Sequence, residues 1–314
     1  MIFTVKTFNS ILIYYKTVII ILMDISLIYI LFIIIGLCMG SFAGASVWRL
    51  RAHQLLQDKK DGESVDKVEY NRIKKLTGKS LSSDRSVCIN CSYTLKWYDM
   101  IPLLSWIFLR GKCRKCRKSI GIMEPLIELG VAGFFVLSFI FWPYSLDNGL
   151  QIVQFIIWLI AGVGLAVLFV YDAKWSLLPD KISFTVIGIG IINSILVVVS
   201  ASDKLSSVTS IFFSIMILSG LYWVLHKISD GKWIGFGDIK LGLGLALLLA
   251  DWRLAFIALF TANLLGCLIV IPAMATKKLN RKSHIPFGPL LIVGSIFALF
   301  VGKYLINIYF YSPF

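Results

Sequence analysis

The sequence contains little charge, few acidic residues and very few histidines. Asp, Glu, Lys and Arg make up 15% of its 314 residues, with 17 acidic residues, 31 basic residues and three histidines. The hydrophobic fraction of 58% and the mean hydropathy of +0.84 exclude an ordinary soluble domain. His53, His226 and His284 have no evident Ser or Cys partner, so each is predicted to be a solvated polar residue rather than part of a nucleophilic site.

Long apolar runs recur to the end of the chain. They predict an all-α polytopic membrane protein with about eight transmembrane helices. The polar segment between the first two is predicted to be a small cytoplasmic zinc-binding module, for the reasons given below. The sixth run is short, with an extension at its start as an alternative. The predicted spans lie near residues 26–47, 124–142, 150–171, 182–200, 206–225, 239–250, 253–274 and 289–311.

The basic residues are concentrated in one polar segment. Of the 31 Lys and Arg residues, 17 lie between Arg49 and Lys118. The positive-inside rule places this segment in the cytoplasm, and alternation then places residues 172–181, 226–238 and 276–288 on the same side. We therefore expect a multi-pass membrane protein with this segment at the cytoplasmic face. The charge of +14 is explained by topology in the lipid bilayer, so no nucleic-acid partner is expected.

Four regions follow from this pattern. Residues 1–25 form an N-terminal extension, with Met23 as an alternative start. Residues 26–48 form the first transmembrane helix, residues 49–122 a cytoplasmic basic insert with the cysteine module, and residues 123–314 the membrane-embedded core. Within the insert, residues 51–84 are predicted to be an exposed helix or partly disordered, with a weak helical pattern from Val68 to Leu76.

Four of the six cysteines form two CxxC pairs in the basic segment. Cys88 and Cys91 are separated from Cys113 and Cys116 by 21 residues, a spacing that predicts one tetrahedral zinc site of structural type. Unmetallated thiols, a redox pair and an iron–sulfur cluster remain alternatives. Disulfides are not expected in the cytoplasm. The remaining two, in apolar runs, are predicted to be small packing residues: Cys38 and Cys267.

Two acidic residues occur at the cytoplasmic ends of predicted spans. Asp172 closes the third span and Asp238 opens the sixth, so the two could meet although 66 positions separate them. A pair of close carboxylates can provide one acid and one base, which is the chemistry of aspartic proteases. Taken singly, either residue is more simply explained as a solvated helix cap. The pairing therefore decides the interpretation.

Small and charged residues surround the second acid. Gly235 and Gly237 are predicted to let the backbone turn tightly and bring a substrate strand against the carboxylate. Lys240 is expected to reach the head groups, with a possible second role in setting the charge of Asp238. Farther along the chain, Gly242 and Gly244 indicate close helix packing. Asp180, after a proline, is predicted to be the N-cap of the following helix.

Several motifs occur in the order found in one known family. From about Gly36 to Pro289 the chain resembles the type IV prepilin peptidases, membrane aspartic proteases also called prepilin leader peptidases/N-methyltransferases. A stretch of the basic segment, residues 99–116, is also similar to versions from Gram-positive competence systems. The motifs are GLCMGSFAGASVWRL (36–50), CINC, DMIPLLSWIFLRGKCRKC, EPLIELG, YDAKWSLLPD, GFGDIKLG and HIPFGPLL (284–291).

The resemblance implies an activity and two cofactors. It makes Asp172 and Asp238 the catalytic aspartates and the four module cysteines the zinc ligands. Members of this family cleave the leader of prepilins and pseudopilins, the subunits of type IV pili and type II secretion, at the cytoplasmic face. Many then methylate the new N-terminus using S-adenosylmethionine. The family's usual asparagines are replaced near Ala43–Ala45 and at Met100, and these replacements bear on methylation more than on proteolysis.

Two other functions fit parts of the sequence. Presenilin-like and signal-peptide-peptidase-like proteases also pair YD with GxGD, but they place a PAL motif in a later helix, where this chain has IPFGP. A metal-handling transporter would use the cysteines for uptake and the acids as a relay. The transporter is disfavoured because both acids lie at one face of the membrane, away from its midplane.

Overall fold

The structure is a computed structural model. It describes the backbone of residues 2–76, 85–277 and 285–311, and the side chains of residues 26–76, 85–277 and 285–308. His284 and the last part of the predicted insert, residues 77–84, lie outside the described residues.

The described chain is built from helices. Outside them, the only bridges among the described residues are two isolated antiparallel pairs, Val87 with Thr94 and Lys112 with Ser119. The helices are α1 (Ile2–Lys60), α2 (Lys67–Ile73), α3 (Leu104–Phe108), α4 (Met123–Ile140), α5 (Gly149–Trp175), α6 (Asp180–Ser200), α7 (Lys204–Ile215), α8 (Leu221–Ile228), α9 (Phe236–Leu249), α10 (Trp252–Ala275) and α11 (Gly288–Tyr311).

Seven helical segments in the described part of the chain are long and apolar enough to cross a membrane. They are α1 from Ser26, α4, α5, α6, α7 with α8, α10 and α11. The predicted all-α membrane fold is confirmed. The sixth predicted span corresponds to α9, which is present but has 14 residues. At ~1.5 Å per residue it is about 21 Å long, shorter than the ~30 Å apolar layer.

Helix α1 and the insert form one continuous feature. The helix runs without interruption to Lys60, past the point where the first span was expected to end. The weak pattern from Val68 to Leu76 is confirmed as α2 followed by a 3-10 turn at Lys74–Leu76. Asp66 caps α2 by accepting hydrogen bonds from two backbone N–H groups. Ile73 of α2 packs on Ala52 and Leu55 of α1, so the insert folds back onto the first helix.

The short helix α9 ends inside the bundle, where its last carbonyl groups need partners. Side chains of α6 supply them: Asn193 donates to the Leu248 carbonyl over 2.9 Å, and Ser194 donates to the Leu247 carbonyl over 2.9 Å. Ser214 of α7 donates to the Ala246 carbonyl. These buried donors satisfy the last carbonyl groups of α9 where water cannot reach them, which allows the short helix to end inside the bundle.

Glycine permits the closest helix contacts, as predicted for Gly242 and Gly244. A Cβ on Gly242 would lie 2.0 Å from the Leu218 carbonyl oxygen, and one on Gly244 would lie 3.0 Å from a Val186 methyl. Leu218 is in a π-helical turn, Met216–Gly220, that joins α7 to α8 within one span. We relate the turn to this contact, since α9 passes directly against it.

Two predictions about individual residues were wrong. Helix α6 begins at Asp180, with Pro179 in the N-cap position, so the aspartate is the first helical residue rather than the cap. The fixed φ of proline suits the extended N-cap backbone found there. Cys38 and Cys267 are exposed on the surfaces of α1 and α10 and are not packed inside the bundle. A small apolar thiol is compatible with lipid, which explains their place on outward faces.

Candidate active site

Asp172 lies one turn before the end of α5 and is 5% exposed. Its Oδ2 atom accepts a hydrogen bond from the backbone N–H of Gly288, at the start of α11, over 2.9 Å. Helix α5 closes with Ser176 in the left-handed region, whose N–H donates to the Asp172 carbonyl over 2.7 Å. The carboxylate is therefore held by a backbone donor 116 positions later in the chain, and Ser176 closes the helix that carries it.

Asp238 occupies the first turn of α9. Gly235, with extended backbone, is the N-cap, and the Asp238 N–H donates to its carbonyl over 3.2 Å. The position favours a negative charge, because the first N–H groups of a helix carry a partial positive charge. The Asp238 side chain is half-buried and close enough to interact electrostatically with Asp172. The structure therefore brings the two predicted acids together at one end of the bundle.

Gly288 is a site residue that sequence reasoning missed. A Cβ at this position would lie 2.7 Å from Oδ2 of Asp172 and 3.3 Å from a methyl of Leu241 in α9. Only glycine lets the backbone of α11 approach the carboxylate so closely while α9 packs beside it. Gly288 lies in the HIPFGPLL motif, which pointed to this part of the chain. The motif by itself did not indicate a role for the glycine.

The two glycines before Asp238 have different surroundings. A Cβ on Gly237 would lie 3.0 Å from Cβ of Leu178, in the segment that follows Asp172. A Cβ on Gly235 would meet Oδ2 of Asp238 at an ordinary 3.7 Å. Neither residue has a positive φ. Gly237 thus allows the two acid motifs to pack against each other. The binding of a substrate strand beside this turn stays a prediction.

Lys240 lies one turn beyond Asp238 but pairs with a different acid. Its Nζ atom is 2.5 Å from Oδ1 of Asp180, at the start of α6. The ammonium group also lies over the rings of Phe236 and Phe184, at 4.9 Å and 5.2 Å from their centroids. The lysine therefore ties α9 to α6 beside the site.

Tyr222 is a second residue that the sequence did not single out. It is 4% exposed on α8, its ring packs edge-on against Phe287, and its hydroxyl lies within electrostatic reach of Asp238. That hydroxyl is buried and has no hydrogen-bond partner among the described residues. His226, predicted to be solvated, is instead half-buried, with Nδ1 2.8 Å from the Ile234 carbonyl oxygen. It closes the loop before α9.

The insert contacts the end of the helix that carries Asp172. Arg51 of α1 donates two hydrogen bonds to the Glu69 carboxylate of α2, over 3.3 Å and 2.8 Å. Trp175 donates its indole N–H to the same carboxylate over 3.2 Å. The hydroxyl of Tyr171 donates to Gln54 of α1. We call these four contacts the α5 brace, because they hold Tyr171 and Trp175, which lie on either side of Asp172 in the last turns of α5.

The four predicted zinc ligands converge. Their sulfur atoms all lie within 4.8 Å of one another, with 4.0 Å between Cys88 and Cys116 and 3.9 Å between Cys91 and Cys113. A tetrahedral zinc site with Zn–S bonds of ~2.3 Å requires sulfur separations of about 3.8 Å. The residues present therefore fit a metal such as zinc.

The backbone around the sulfurs repeats between the two pairs. Cys88 and Cys113 each donate from N–H to a carbonyl five residues later, Tyr93 and Lys118, over 2.9 Å. Burial raises the pKa of the Cys88 thiol to about 12. Burial also opposes ionisation of Cys113, but N–H groups of its own knuckle outweigh it, and its pKa falls to about 7. A bound cation would be needed to keep all four sulfurs ionised together.

A cavity of about 360 Å³ separates the module from α1 and α4. Its lining includes Glu124 and Glu128 of α4. Oε1 of Glu124 accepts from the Trp48 indole over 3.1 Å, whereas the buried Oε2 has no hydrogen-bond partner among the residues described. Oε2 of Glu128 accepts from the Leu103 N–H over 2.6 Å. The lining also includes four arginines: Arg49, Arg72, Arg85 and Arg114. The cavity therefore carries charges of both signs and suits a ligand that has both cationic and anionic groups.

Comparison with known proteins covers both regions. Residues 34–142 match the bacterial Peptidase A24 N-terminal domain, and residues 159–271 match the type IV leader peptidase family. The type 4 prepilin-like proteins leader peptide-processing enzyme of Escherichia coli O78:H11 is 30% identical over 85% of this chain and 91% of its own. The prepilin leader peptidase/N-methyltransferase of Pseudomonas aeruginosa is 26% identical over 88% and 91%.

A third relative has the same extent of similarity. The prepilin leader peptidase/N-methyltransferase of Aeromonas hydrophila is 29% identical over 85% of this chain and 88% of its own. No solved structure matches the chain. With both regions matched in order and relatives covered almost end to end, the chain belongs to the type IV leader peptidase family.

Proposed function

We propose that the protein is a membrane aspartic endopeptidase that removes the leader peptide of type IV prepilins or pseudopilins at the cytoplasmic face of the bacterial inner membrane. The observation that carries the proposal is the meeting of Asp172 and Asp238 beside Gly288. Relatives with the same two regions are named as prepilin leader peptidases, which supports the substrate class. The basic segment supports the orientation, because positive loops stay in the cytoplasm.

The chemistry assigned to the dyad is hydrolysis of a peptide bond. One carboxylate takes a proton from a water molecule, whose oxygen attacks the scissile carbonyl carbon. The other carboxylic acid donates a proton to the carbonyl oxygen, and the C–N bond then breaks as the leaving amine is protonated. Two close carboxylates suit this reaction because they do not ionise together readily, so one retains its proton.

Tyr222 supports the same reaction. Its buried hydroxyl lies near Asp238 without a partner among the described side chains, and a tyrosine can donate one hydrogen bond. We assign this bond to the polar atoms of the reacting peptide or its water. The N–H of Gly288 has a separate role, because it orients the Asp172 carboxylate and stabilises its charge.

We also propose methylation of the new N-terminus, with the cavity beside the cysteine module as the donor site. S-adenosylmethionine would supply an electrophilic methyl group there. The cavity of about 360 Å³ is large enough for such a ligand, and the Glu124 and Glu128 carboxylates can face its cationic groups. The unpartnered Oε2 atom of Glu124 is the observation that favours this site. The cysteines, when holding a metal, would keep the far wall in place.

Mass spectrometry of a co-expressed prepilin tests both activities. The wild-type protein should produce a mature N-terminus that carries one added methyl group. Asp238→Ala should leave the leader attached. Glu124→Gln, with an unchanged dyad, should give a cleaved but unmethylated product, and Glu63→Gln on the exposed surface of the insert serves as its control. Failure of the wild type to cleave any of several prepilins would reject the peptidase and favour a metal-handling transporter.

A further inference from the structure

Helix α3 of the cysteine module has two faces of unusual character. Ser105, Trp106 and Leu109 line the cavity, and the Trp106 indole donates to the Gly121 carbonyl over 2.7 Å. The opposite face carries larger apolar side chains at helical spacing that are strongly exposed: Leu104 at 51%, Ile107 at 53% and Phe108 at 81%. The apolar side of this helix therefore points outward.

The apolar face does not end with the helix. Before it, Ile101 is also exposed, and after the second cysteine pair the exposed Ile122 leads directly into α4. A water-soluble module normally avoids such a concentration of exposed apolar side chains, which marks an interaction surface.

A hydrogen bond fixes the level of this segment relative to the membrane. The N–H of Leu103 donates to Oε2 of Glu128 over 2.6 Å. Glu128 is the sixth residue of α4, about 7.5 Å along its axis. Helix α4 has only 18 residues, close to the minimum that spans an apolar layer, so its second turn already lies at the edge of that layer. The start of α3 must therefore lie at the same level.

The residues that follow α3 carry the positive charge that is expected of a segment at the membrane surface. Arg110, Lys112, Lys115, Arg117 and Lys118 are all exposed, and residues 110–118 contain no acidic residue. Arg114, also exposed, pairs with Asp99 over 2.7 Å. Positive charge next to an apolar face is the composition of segments that lie in the head-group region of anionic bilayers.

We propose that α3 is an interfacial wedge, with Leu104, Ile107 and Phe108 among the lipid acyl chains and the basic residues from Arg110 to Lys118 on anionic head groups. The occupant of this face is the bilayer itself. The wedge would anchor the cysteine module and its cavity to the membrane surface. This inference does not rest on the proposed function, since it follows from the helix faces, the depth and the charge alone.

Photo-crosslinking in nanodiscs tests the wedge on the full chain. The bilayer contains phosphatidylethanolamine, phosphatidylglycerol and a phospholipid with a diazirine on its acyl chain, and labelled peptides are located by mass spectrometry. We expect labelling of residues 104–108, reduced at least fivefold in Phe108→Ser and more in Leu104→Ser/Ile107→Ser/Phe108→Ser. Val68→Ser is the matched control, because Val68 is 79% exposed on α2 and should carry no label.

Four outcomes would contradict the proposal. Labelling confined to the spanning helices would leave α3 in water. Equal labelling of Val68 and residues 104–108 would place the apolar face of α3 at no greater depth than the exposed surface of α2. Loss of the 104–108 label on adding a peptide with a prepilin-type apolar helix would assign the face to the substrate instead. Replacing phosphatidylglycerol by phosphatidylcholine should reduce labelling severalfold, and an unchanged signal would reject the head-group contact.

Leader cleavage separates a local effect from misfolding. The Phe108→Ser chain should still process a prepilin, because the substitution lies outside the dyad and its contacts. If it retains cleavage yet keeps the full label on residues 104–108, the wedge is rejected and the peptidase is unaffected.

Discussion

The aspartate site and the cysteine module lie at the same end of the bundle but are held together in different ways. Asp172 is fixed by a backbone donor 116 positions away and is surrounded by buried helices. The module uses short local turns, and Cys113 is the one buried ligand of its four. The comparison indicates that packing preforms the peptidase site, whereas the module requires a cross-link through its sulfurs.

Trp48 of α1 connects the two regions. It contacts Trp175 of α5 edge-on at 5.9 Å and donates to Glu124 at the cavity. Lys174 lies over the Trp48 ring at 3.8 Å. A change in the module can therefore reach the end of α5 through aromatic and polar side chains. We expect weak coupling between the regions, which the following predictions test in order of effect.

Gly288→Val should have a large effect on the packed region. The added side chain would enter the space of the Asp172 carboxylate, and a displacement of ~1 Å at a catalytic group costs about 100-fold in rate. The rate of leader removal measures it. Gly188→Ala, where a Cβ meets nothing within 4 Å, is the control and should cleave normally. Normal cleavage by Gly288→Val would show that α11 does not position Asp172.

Cys113→Ser should disorder the module while sparing most of the peptidase. Loss of one sulfur leaves three ligands and removes the cross-link, so trypsin should cut residues 110–118 much faster. Leader removal should fall by less than about tenfold, or ~1.4 kcal/mol of barrier. Cys267→Ser, exposed on α10, controls for the substitution. A complete loss of cleavage would mean that the two regions are tightly coupled.

Tyr222→Phe should lower the cleavage rate by about fivefold, because one hydrogen bond worth ~1 kcal/mol is lost at the reacting atoms. The change should appear in kcat with little change in KM, which separates it from weaker substrate binding. Tyr304→Phe removes an exposed hydroxyl from α11 and should behave as the wild type. An unchanged kcat in Tyr222→Phe would exclude the hydroxyl from the reaction.

Glu69→Gln should have the smallest effect, because it alters only the α5 brace. The variant keeps its shape but loses the charged partner of Arg51, at a cost of about 1 kcal/mol. We expect a Tm lower by a few degrees and cleavage lower by a few fold, both measured against Glu63→Gln. Restoration by Glu69→Asp is not expected, since the shorter side chain cannot reach Arg51 and Trp175 together. If the Tm of Glu69→Gln equals that of the wild type, the α5 brace does not stabilise the fold.

The sequence was sufficient where the signal is local. Apolar runs predicted the spanning helices, and the CxxC spacing predicted the convergence of four sulfurs. The YD and GxGD motifs predicted that Asp172 and Asp238 could lie close together. It was insufficient where distant residues meet. Gly288 acts on an aspartate 116 positions earlier, and Asn193 ends a helix 55 positions later. No pattern within a window shows such contacts, because packing determines them.

One local signal gave a position that was wrong by one residue. Asp180 has a typical capping residue type, but the preceding proline takes the cap position and the carboxylate pairs with Lys240. Lys240 was expected to reach the head groups, with a possible second role in setting the charge of Asp238, and this stays a prediction. Its ion pair with Asp180 depends on how α6 and α9 lie together, which no local pattern shows.

A double-substitution cycle on the two aspartates is the most direct test of a shared dyad. Asp172→Asn, Asp238→Asn and the double variant are assayed for leader removal at one enzyme concentration in the same membranes. If the carboxylates act as one unit, each single variant loses activity by a factor on the order of 10⁴ and the double variant loses little more. Separate losses that multiply in the double variant would contradict the dyad, since they would show that the two aspartates act independently.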